Sequence, residues 1–261
     1  MPARFFVDQP LQSGATFALP AGAARHVQVL RMQPGTALTL FNGEGGEWAA
    51  SVTQMGRSDV TVEVGAHAAV DRELALAVTL ALGMPANERM DTVIEKATEL
   101  GVAAIQPLLC ERSVLRLSGE RAAKKVAHWQ GVAQAACEQS GRTRVPLILP
   151  ICSLGDWLRN LPAAADAAVA EVPTPASPEA STQAPARWLL SLRETEPLAA
   201  RAAQAWPGGA ICLSGPEGGL SAAEEEAARA HGFVAISLGT RVLRADTAPL
   251  AVLAYLGLVD R

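Results

Sequence analysis

Glu217, Arg241, Arg244 and Asp246 are charged side chains set beside glycine turns in the stretch Leu213–Ala248, LSGPEGGLSAAEEEAARAHGFVAISLGTRVLRADTA. Charge next to permissive backbone is a combination that can act on a bound ligand. Glu217 can accept a proton or attract a cation, or simply bond the N–H groups of its own turn. Arg241 lies just past a strand end, where a guanidinium can stabilise negative charge that develops during a reaction. Arg244 and Asp246 are expected to pair with each other at the start of the last helix, where an acid is stabilising in any case.

The elements that must position these groups follow from the same stretch. Ile211–Ser214 is a short apolar run that stops at Gly-Pro, as a buried strand does. Gly218 and Gly219 permit positive φ and a close approach of backbone to ligand. Ser221 stands three residues before Glu224, which is a capping box, and Glu224, Glu225 and Glu226 fill the first helical turn, where the dipole favours acid. Gly232 can end that helix. Phe233–Leu238 reads as a second strand, Gly239–Arg241 as a turn, and about Arg244 to Val259 as a final helix. No Lys follows Gly219 and there is no G-x-G-x-x-G, so this is neither a P-loop nor a dinucleotide fingerprint. Three glutamates at the helix start would repel phosphate, which points to a ligand with a positive centre. A tight strand-to-helix turn without a ligand accounts for the same spacing, and spacing alone leaves both readings open.

The rest of the chain supplies a scaffold of two kinds. Residues 1–70 read as a small β domain: the apolar runs Thr16–Leu19, Ala37–Phe41, Trp48–Thr53 and Val60–Val64 are separated by Gly, Pro, Asn and Asp turns. From Leu74 onward strands and helices alternate, which implies a mostly parallel sheet with helices on both faces. Leu76–Leu82 and Val102–Leu109 read as buried strands. Asn87 is expected to cap a helix with Met90, Val93, Ile94, Ala97 and Leu100 on one stripe, ended by Gly101. Glu120–Gln139 reads as a helix with Val126, Trp129, Ala133 and Cys137 inward, Pro146–Pro150 and Ala167–Ala170 as short strands, and Arg187–Leu192 as a further strand. The proline-rich stretch at about 171–186 is an inserted loop and not a domain boundary.

Composition narrows the class. A chain of 261 residues that is 49% hydrophobic and 18% charged is globular and able to bury a sizeable core. No apolar run is long enough to span a membrane, and MPARFFVDQP lacks an apolar signal core. Four scattered cysteines without C-x-x-C suggest neither a metal site nor a disulfide framework, and free thiols fit a cytoplasmic protein. The net charge of −4 hides a basic segment, residues 110–145, which carries Arg112, Arg116, Arg121, Lys124, Lys125, Arg142 and Arg144 against three acids. Such a cluster is either a solvated helix face or a phosphate contact.

GPEGGLS followed by LGTRVLRADTA resembles the C-terminal signature of the RsmE family of SPOUT methyltransferases. Asp246 stands where that signature usually has Glu, one methylene shorter. ARFFV, HVQVLRMQPG and LFNGEGGEW resemble the family's N-terminal PUA-like barrel. EKATELGV, CERSV and EQSGRTRVP extend the resemblance over nearly the whole chain. It implies a PUA-like RNA-binding domain over residues 1–70 and a SPOUT methyltransferase domain over 74–261, with a trefoil knot at about 211–248. It also implies S-adenosylmethionine as methyl donor, N3 of a uridine in the 16S rRNA of the small ribosomal subunit as acceptor, and a homodimer. Ligands in open α/β sheets bind beyond the carboxyl ends of strands. The expected cofactor residues are therefore Leu192, Leu213, Ser214, Gly215, Glu217, Gly218, Gly219, Leu238, Gly239, Arg241 and Leu243, with Arg241 and Glu217 catalytic. Arg4, Arg25, His26, Arg31, Arg112, Arg121, Lys124, Lys125 and Arg142 are the candidate RNA contacts; a lone His such as His26 is more often a structural residue, and that reading is favoured for it. A ribose 2′-O-methyltransferase of the same superfamily and a non-catalytic RNA-binding module are the alternatives.

Overall fold

The computed structural model describes residues 2–162, 184–204 and 206–259. These divide into two compact units, one of residues 1–73 with 134–145, the other of 74–133 with 146–261.

The first unit is a five-stranded sheet: β1 (Ala3–Phe6), β2 (Thr16–Ala18), β3 (Ala37–Phe41), β4 (Glu47–Met55) and β5 (Val60–Ala68), in the order β1-β3-β4-β5-β2. Alternation along β5 buries Val60, Val62 and Val64, which join Phe5, Leu38, Leu40 and Val52 in the core. A helix, α1 (Ala21–Val29), packs Ala24 and Val27 onto that core. The sequence reading of residues 1–70 as a small β domain does not name this helix. Its signal is the alanine-rich AGAARHVQV with Ala24 and Val27 three apart, a spacing that suits a helix and not a strand.

Residues 134–145 belong to this first unit and not to the domain expected over 74–261. The cause is a set of polar ties. Arg4 donates to the carbonyls of Gly141 and Arg142, both at 3.1 Å, Arg72 donates to Gly141 O at 2.8 Å, and the Phe6 N–H donates to Glu138 at 3.0 Å.

The second unit is an eight-stranded sheet. Its strands are β6 (Val78–Gly83), β7 (Ala104–Leu109), β8 (Leu147–Ile148), β9 (Cys152–Ser153), β10 (Ala186–Leu190), β11 (Glu196–Pro197), β12 (Ala210–Ser214) and β13 (Val234–Ser237). The order is β11-β13-β10-β12-β6-β7-β8, with β9 also on β7, and every pairing is parallel. β6 and β12 are buried along their whole length, as strands covered on both faces must be. The helices are α2 (Asn87–Glu99), α3 (Gly119–Ser140, of which 119–133 belong to this unit), α4 (Leu154–Asn160), α5 (Leu198–Ala202), α6 (Ala222–Ala230) and α7 (Thr247–Val259). The short elements α4, α5, β9 and β11 were not expected, because each is too brief for a period to show. The Ala167–Ala170 strand and most of the inserted loop lie outside the described residues.

The ends of α6 and the C-terminal end of α2 follow their local chemistry. Ser221 and Glu224 form the full capping box of α6, and Gly232 follows its end at φ +82°. Gly101 follows α2 at φ +92°. Asn87, however, is the first residue of α2 and not its cap. The N-cap is Ala86, which offers no side-chain oxygen.

Candidate active site

Because β10, β12 and β13 are parallel neighbours, their C-terminal ends emerge at one edge of the sheet. The turns that follow these three strands enclose a cleft of about 620 Å³. Leu192, Ser214, Gly215, Glu217, Gly218, Gly219, Leu238, Gly239, Arg241 and Leu243 all line it. Leu213 does not: it points the other way from β12, fully buried in the core cluster with Ala81, Leu108 and Leu189. Alternation of side chains along a strand accounts for the difference.

The turn after β12 is held rigidly. The Gly219 N–H donates to Pro216 O at 2.8 Å, and Gly219 takes φ +68°, which favours glycine. A Cβ on Gly215 would come within 2.8 Å of the Leu220 nitrogen, so only glycine lets the turn close so tightly. Arg112 clamps the turn from outside, donating Nη1 to Gly218 O at 2.9 Å and Leu220 O at 3.3 Å. Glu217 reaches across to α2. Its Oε1 accepts the Ala86 N–H at 3.0 Å and sits 3.4 Å from Arg89 Nη1. Its partner is therefore a backbone N–H of another segment and not of its own turn.

The turn after β13 is set by Ser237, whose Oγ accepts the Gly239 N–H and donates to Gly239 O, both at 3.2 Å. The turn after β10 is pinned by Ser191, whose Oγ accepts the Arg193 N–H at 3.1 Å and donates to Glu225 Oε2 at 3.2 Å. Ser191, Arg193 and Glu225 also line the cleft; of these, the sequence points only to Glu225, as one of the three glutamates at the start of α6. A signal for the other two was available: Ser191 and Arg193 sit at the end of a strand already read as pointing into a ligand site.

Comparison with known proteins decides the family. Residues 72–257 match the family model described as an RNA methyltransferase domain, and residues 19–65 match one described as an RNA methyltransferase PUA domain. The ribosomal RNA small subunit methyltransferase E of Bacillus subtilis is 30% identical over 254 residues, 96% of this chain and 94% of its own. The chain belongs to the ribosomal RNA small subunit methyltransferase E family. Two solved structures are similar over nearly the full length. The family member from Neisseria gonorrhoeae, bound to S-adenosyl methionine, is 36% identical with a TM-score of 0.84, covering 98% of this chain and 97% of that one. A Legionella pneumophila protein described as a putative methyltransferase, in complex with the bound cofactor SAM, is 32% identical with a TM-score of 0.85, covering 99% and 98%.

Within this family member the cleft is more basic than its sequence suggests. Among the described residues, Arg89, Arg112, Arg193, Arg241 and Arg244 line it against Glu217 and Glu225. The glutamate cluster at the start of α6 is largely spent elsewhere: Glu224 accepts the Ser221 N–H at 2.9 Å and the Glu111 N–H at 2.7 Å, and Glu226 is exposed outside the cleft. The expectation that three glutamates set the field of the site is corrected on that ground. Arg244 and Asp246 form no ion pair among the described residues; Asp246 Oδ1 accepts the Thr247 hydroxyl at 3.2 Å. Arg241 is exposed at the cleft wall.

The candidate RNA contacts divide by burial. Arg4 and Arg142 are structural. The Arg4 side chain is 7% exposed and ion-paired with Glu47, and that of Arg142 is 4% exposed against Glu73, with Nε 3.1 Å from Oε2. Burial raises the Glu47 carboxyl, but the hydrogen bonds from Arg4 and Arg72 outweigh it and hold the group below its usual range. Lys125 is also committed: it joins His128 and Trp129 on Asp91, at 2.9, 2.9 and 2.8 Å. Arg112 serves the glycine turn. Arg25, His26 and Arg31 stand exposed on or just after α1, with the His26 ring edge-on to Phe5 at 5.4 Å. Arg121 and Lys124 are exposed on α3, where Lys124 pairs with Glu120.

Proposed function

We propose that this chain transfers the methyl group of S-adenosylmethionine to N3 of a uridine in the 16S rRNA of the small ribosomal subunit, acting in the cytoplasm as a homodimer. The observation that carries the reading is the convergence of three parallel strand ends on one glycine-walled cleft in a member of this family. The residues present fit the cofactor. The cleft has the volume of a small-molecule site. Leu192, Leu238, Val242 and Leu243 give it an apolar lining for a nucleobase, and the tight turns at Gly215–Gly219 and Leu238–Gly239 bring backbone N–H and C=O groups to its wall.

When bound, S-adenosylmethionine supplies a methyl group that is already electrophilic on its sulfonium. The chain's own residues then have three tasks. Arg112, Arg89 and Glu217 hold the glycine turn in one shape, which keeps the wall of the cofactor cleft in place. Arg241 stabilises the negative charge that spreads onto the uracil carbonyls as the N3 proton leaves. Arg25, Arg31, Arg121 and Lys124 supply cations to the RNA backbone. Glu217, fixed by the Ala86 N–H, serves as an anchor of the turn.

The homodimer rests on α7 as well as on the family. The helix buries Pro249, Val252, Leu253 and Leu256, yet Leu258 remains 84% exposed and Val259 47%. A second copy would cover that remaining apolar end. The decisive experiment incubates the protein with methyl-labelled S-adenosylmethionine and small-subunit rRNA lacking the modification, then digests the RNA to nucleosides for mass spectrometry. Labelled 3-methyluridine is expected. Label on a ribose 2′-oxygen, or none, would refute the reading.

A further inference from the structure

The two carboxylates of the cleft differ in what they are already doing. Glu217 is committed to the Ala86 N–H and to Arg89. Glu225 is half-buried on α6, lines the cleft, and among the described residues receives one hydrogen bond, from the neutral Ser191 hydroxyl at 3.2 Å. No Lys or Arg among those residues forms an ion pair with it. An ionised carboxylate offers about four acceptor sites, so most of its capacity faces the cleft unmet. The Ser191 oxygen also accepts the Arg193 N–H at 3.1 Å, so the same hydroxyl is held between that turn and Glu225. The remaining charged groups of the cleft are arginines, which have no use for a cationic ligand. Glu225 is thus the available counter-charge for one.

We infer that Glu225, oriented by Ser191, is the electrostatic partner of the positively charged sulfonium of S-adenosylmethionine. This rests on the proposed function, which makes that molecule the methyl donor. The inference has a consequence for turnover. On transfer the methyl C–S bond breaks with its electron pair left on sulfur, the C–N bond forms with the pair of deprotonated N3, and the proton goes to solvent. The charge facing Glu225 disappears in that step. Attraction to Glu225 therefore favours the donor over the neutral thioether product, S-adenosylhomocysteine, and helps the product leave.

Calorimetric titration of the full chain with both nucleosides tests this without relying on activity. Glu225→Gln, which keeps shape and removes charge, should weaken S-adenosylmethionine binding by up to about fivefold, the scale expected of one partly screened charge pair. S-adenosylhomocysteine binding should stay unchanged. Ser191→Ala should shift donor affinity in the same direction by a smaller factor. In the unmodified protein, added salt should weaken donor binding more than product binding, a readout that needs no variant to fold. Equal weakening of both nucleosides by Glu225→Gln would place the carboxylate on a part they share and overturn the inference alone, as would no weakening of either. Failure of the unmodified protein to bind either nucleoside would overturn the proposed function and this inference with it.

Discussion

The Glu217 carboxylate accepts the Ala86 N–H at 3.0 Å across 131 positions of chain. Ala86 is the N-cap of α2 and brings no side-chain oxygen of its own. The glycine turn after β12 therefore caps a helix that begins after β6, and an acid placed there is favoured by the helix dipole. One contact serves two elements: it finishes α2 and it fixes the wall of the cleft.

Removing that contact should cost stability and cofactor affinity together. Glu217→Ala should lose about 1 kcal/mol, the usual worth of an N-cap, and should loosen the turn. Glu217→Gln keeps an acceptor oxygen and should retain most of both. Thermal melting and single-turnover methylation check this. Loss of chemistry in Glu217→Gln at unchanged stability would make the carboxylate a proton acceptor instead of an anchor.

Arg241→Ala should lower turnover by about 10²–10³, the cost of one electrostatic donor to a developing charge, while S-adenosylmethionine binding changes little. Arg241→Lys should recover part of the rate, since an ammonium lacks the planar fork. Comparing single-turnover rates with calorimetric affinities distinguishes this from a role in cofactor binding.

Arg112→Ala should act in the opposite way. It frees the Gly218 and Leu220 carbonyls from the guanidinium. Cofactor affinity should fall by about tenfold, in line with the loss of a charge-assisted hydrogen bond, and RNA affinity at a given salt concentration should be preserved. A selective loss of RNA binding would return Arg112 to the role its basic neighbourhood suggests.

Asp91 sets an acid limit on the second unit. Burial raises its carboxyl, but Lys125, His128 and Trp129 hold it below its usual range. A depressed folded-state value means the stabilisation is fully present above the unfolded value, about 3.9, and is lost as pH falls through the folded one. Asp91→Asn should flatten the fall in melting temperature below about pH 4. The side chain is 35% exposed, so solvent screening keeps the effect modest.

Buried and exposed arginines of the first unit should separate cleanly. Arg142→Ala strands the Glu73 carboxylate and should cost about 3 kcal/mol or more. Arg25→Ala and Arg31→Ala should leave melting unchanged. Each should lower the salt slope of RNA binding by about 1, as measured by filter binding across a salt series.

Contiguous features were legible in the sequence. The Ser221–Glu224 box, the Gly232 stop, the strand end at Ser214 and the alternation of strand and helix depend on neighbours a few residues away. What stayed hidden depends on distant partners. Arg4 looks like an RNA contact until Glu47, 43 positions on, is seen to hold it, and Arg142 until Glu73, 69 positions back, does the same. The three glutamates of α6 look alike as a run, yet one caps the helix, one faces the cleft and one faces solvent. Asn87 is not the cap of α2: the N-cap is Ala86, whose N–H donates to Glu217, 131 positions on. No local pattern records any of these.

The order of the parallel sheet also bears on how the protein is made. β12 must settle between β6 and β10, and β13 beside β10, so nearly every pairing in the site joins residues far apart in the chain. Such topologies fold slowly. Synthesis adds a further delay, because Leu238–Ala248 leave the ribosome after every other part of the cleft wall. A nascent or truncated chain ending before them lacks the wall of the cleft that Leu238, Gly239, Arg241 and Leu243 supply.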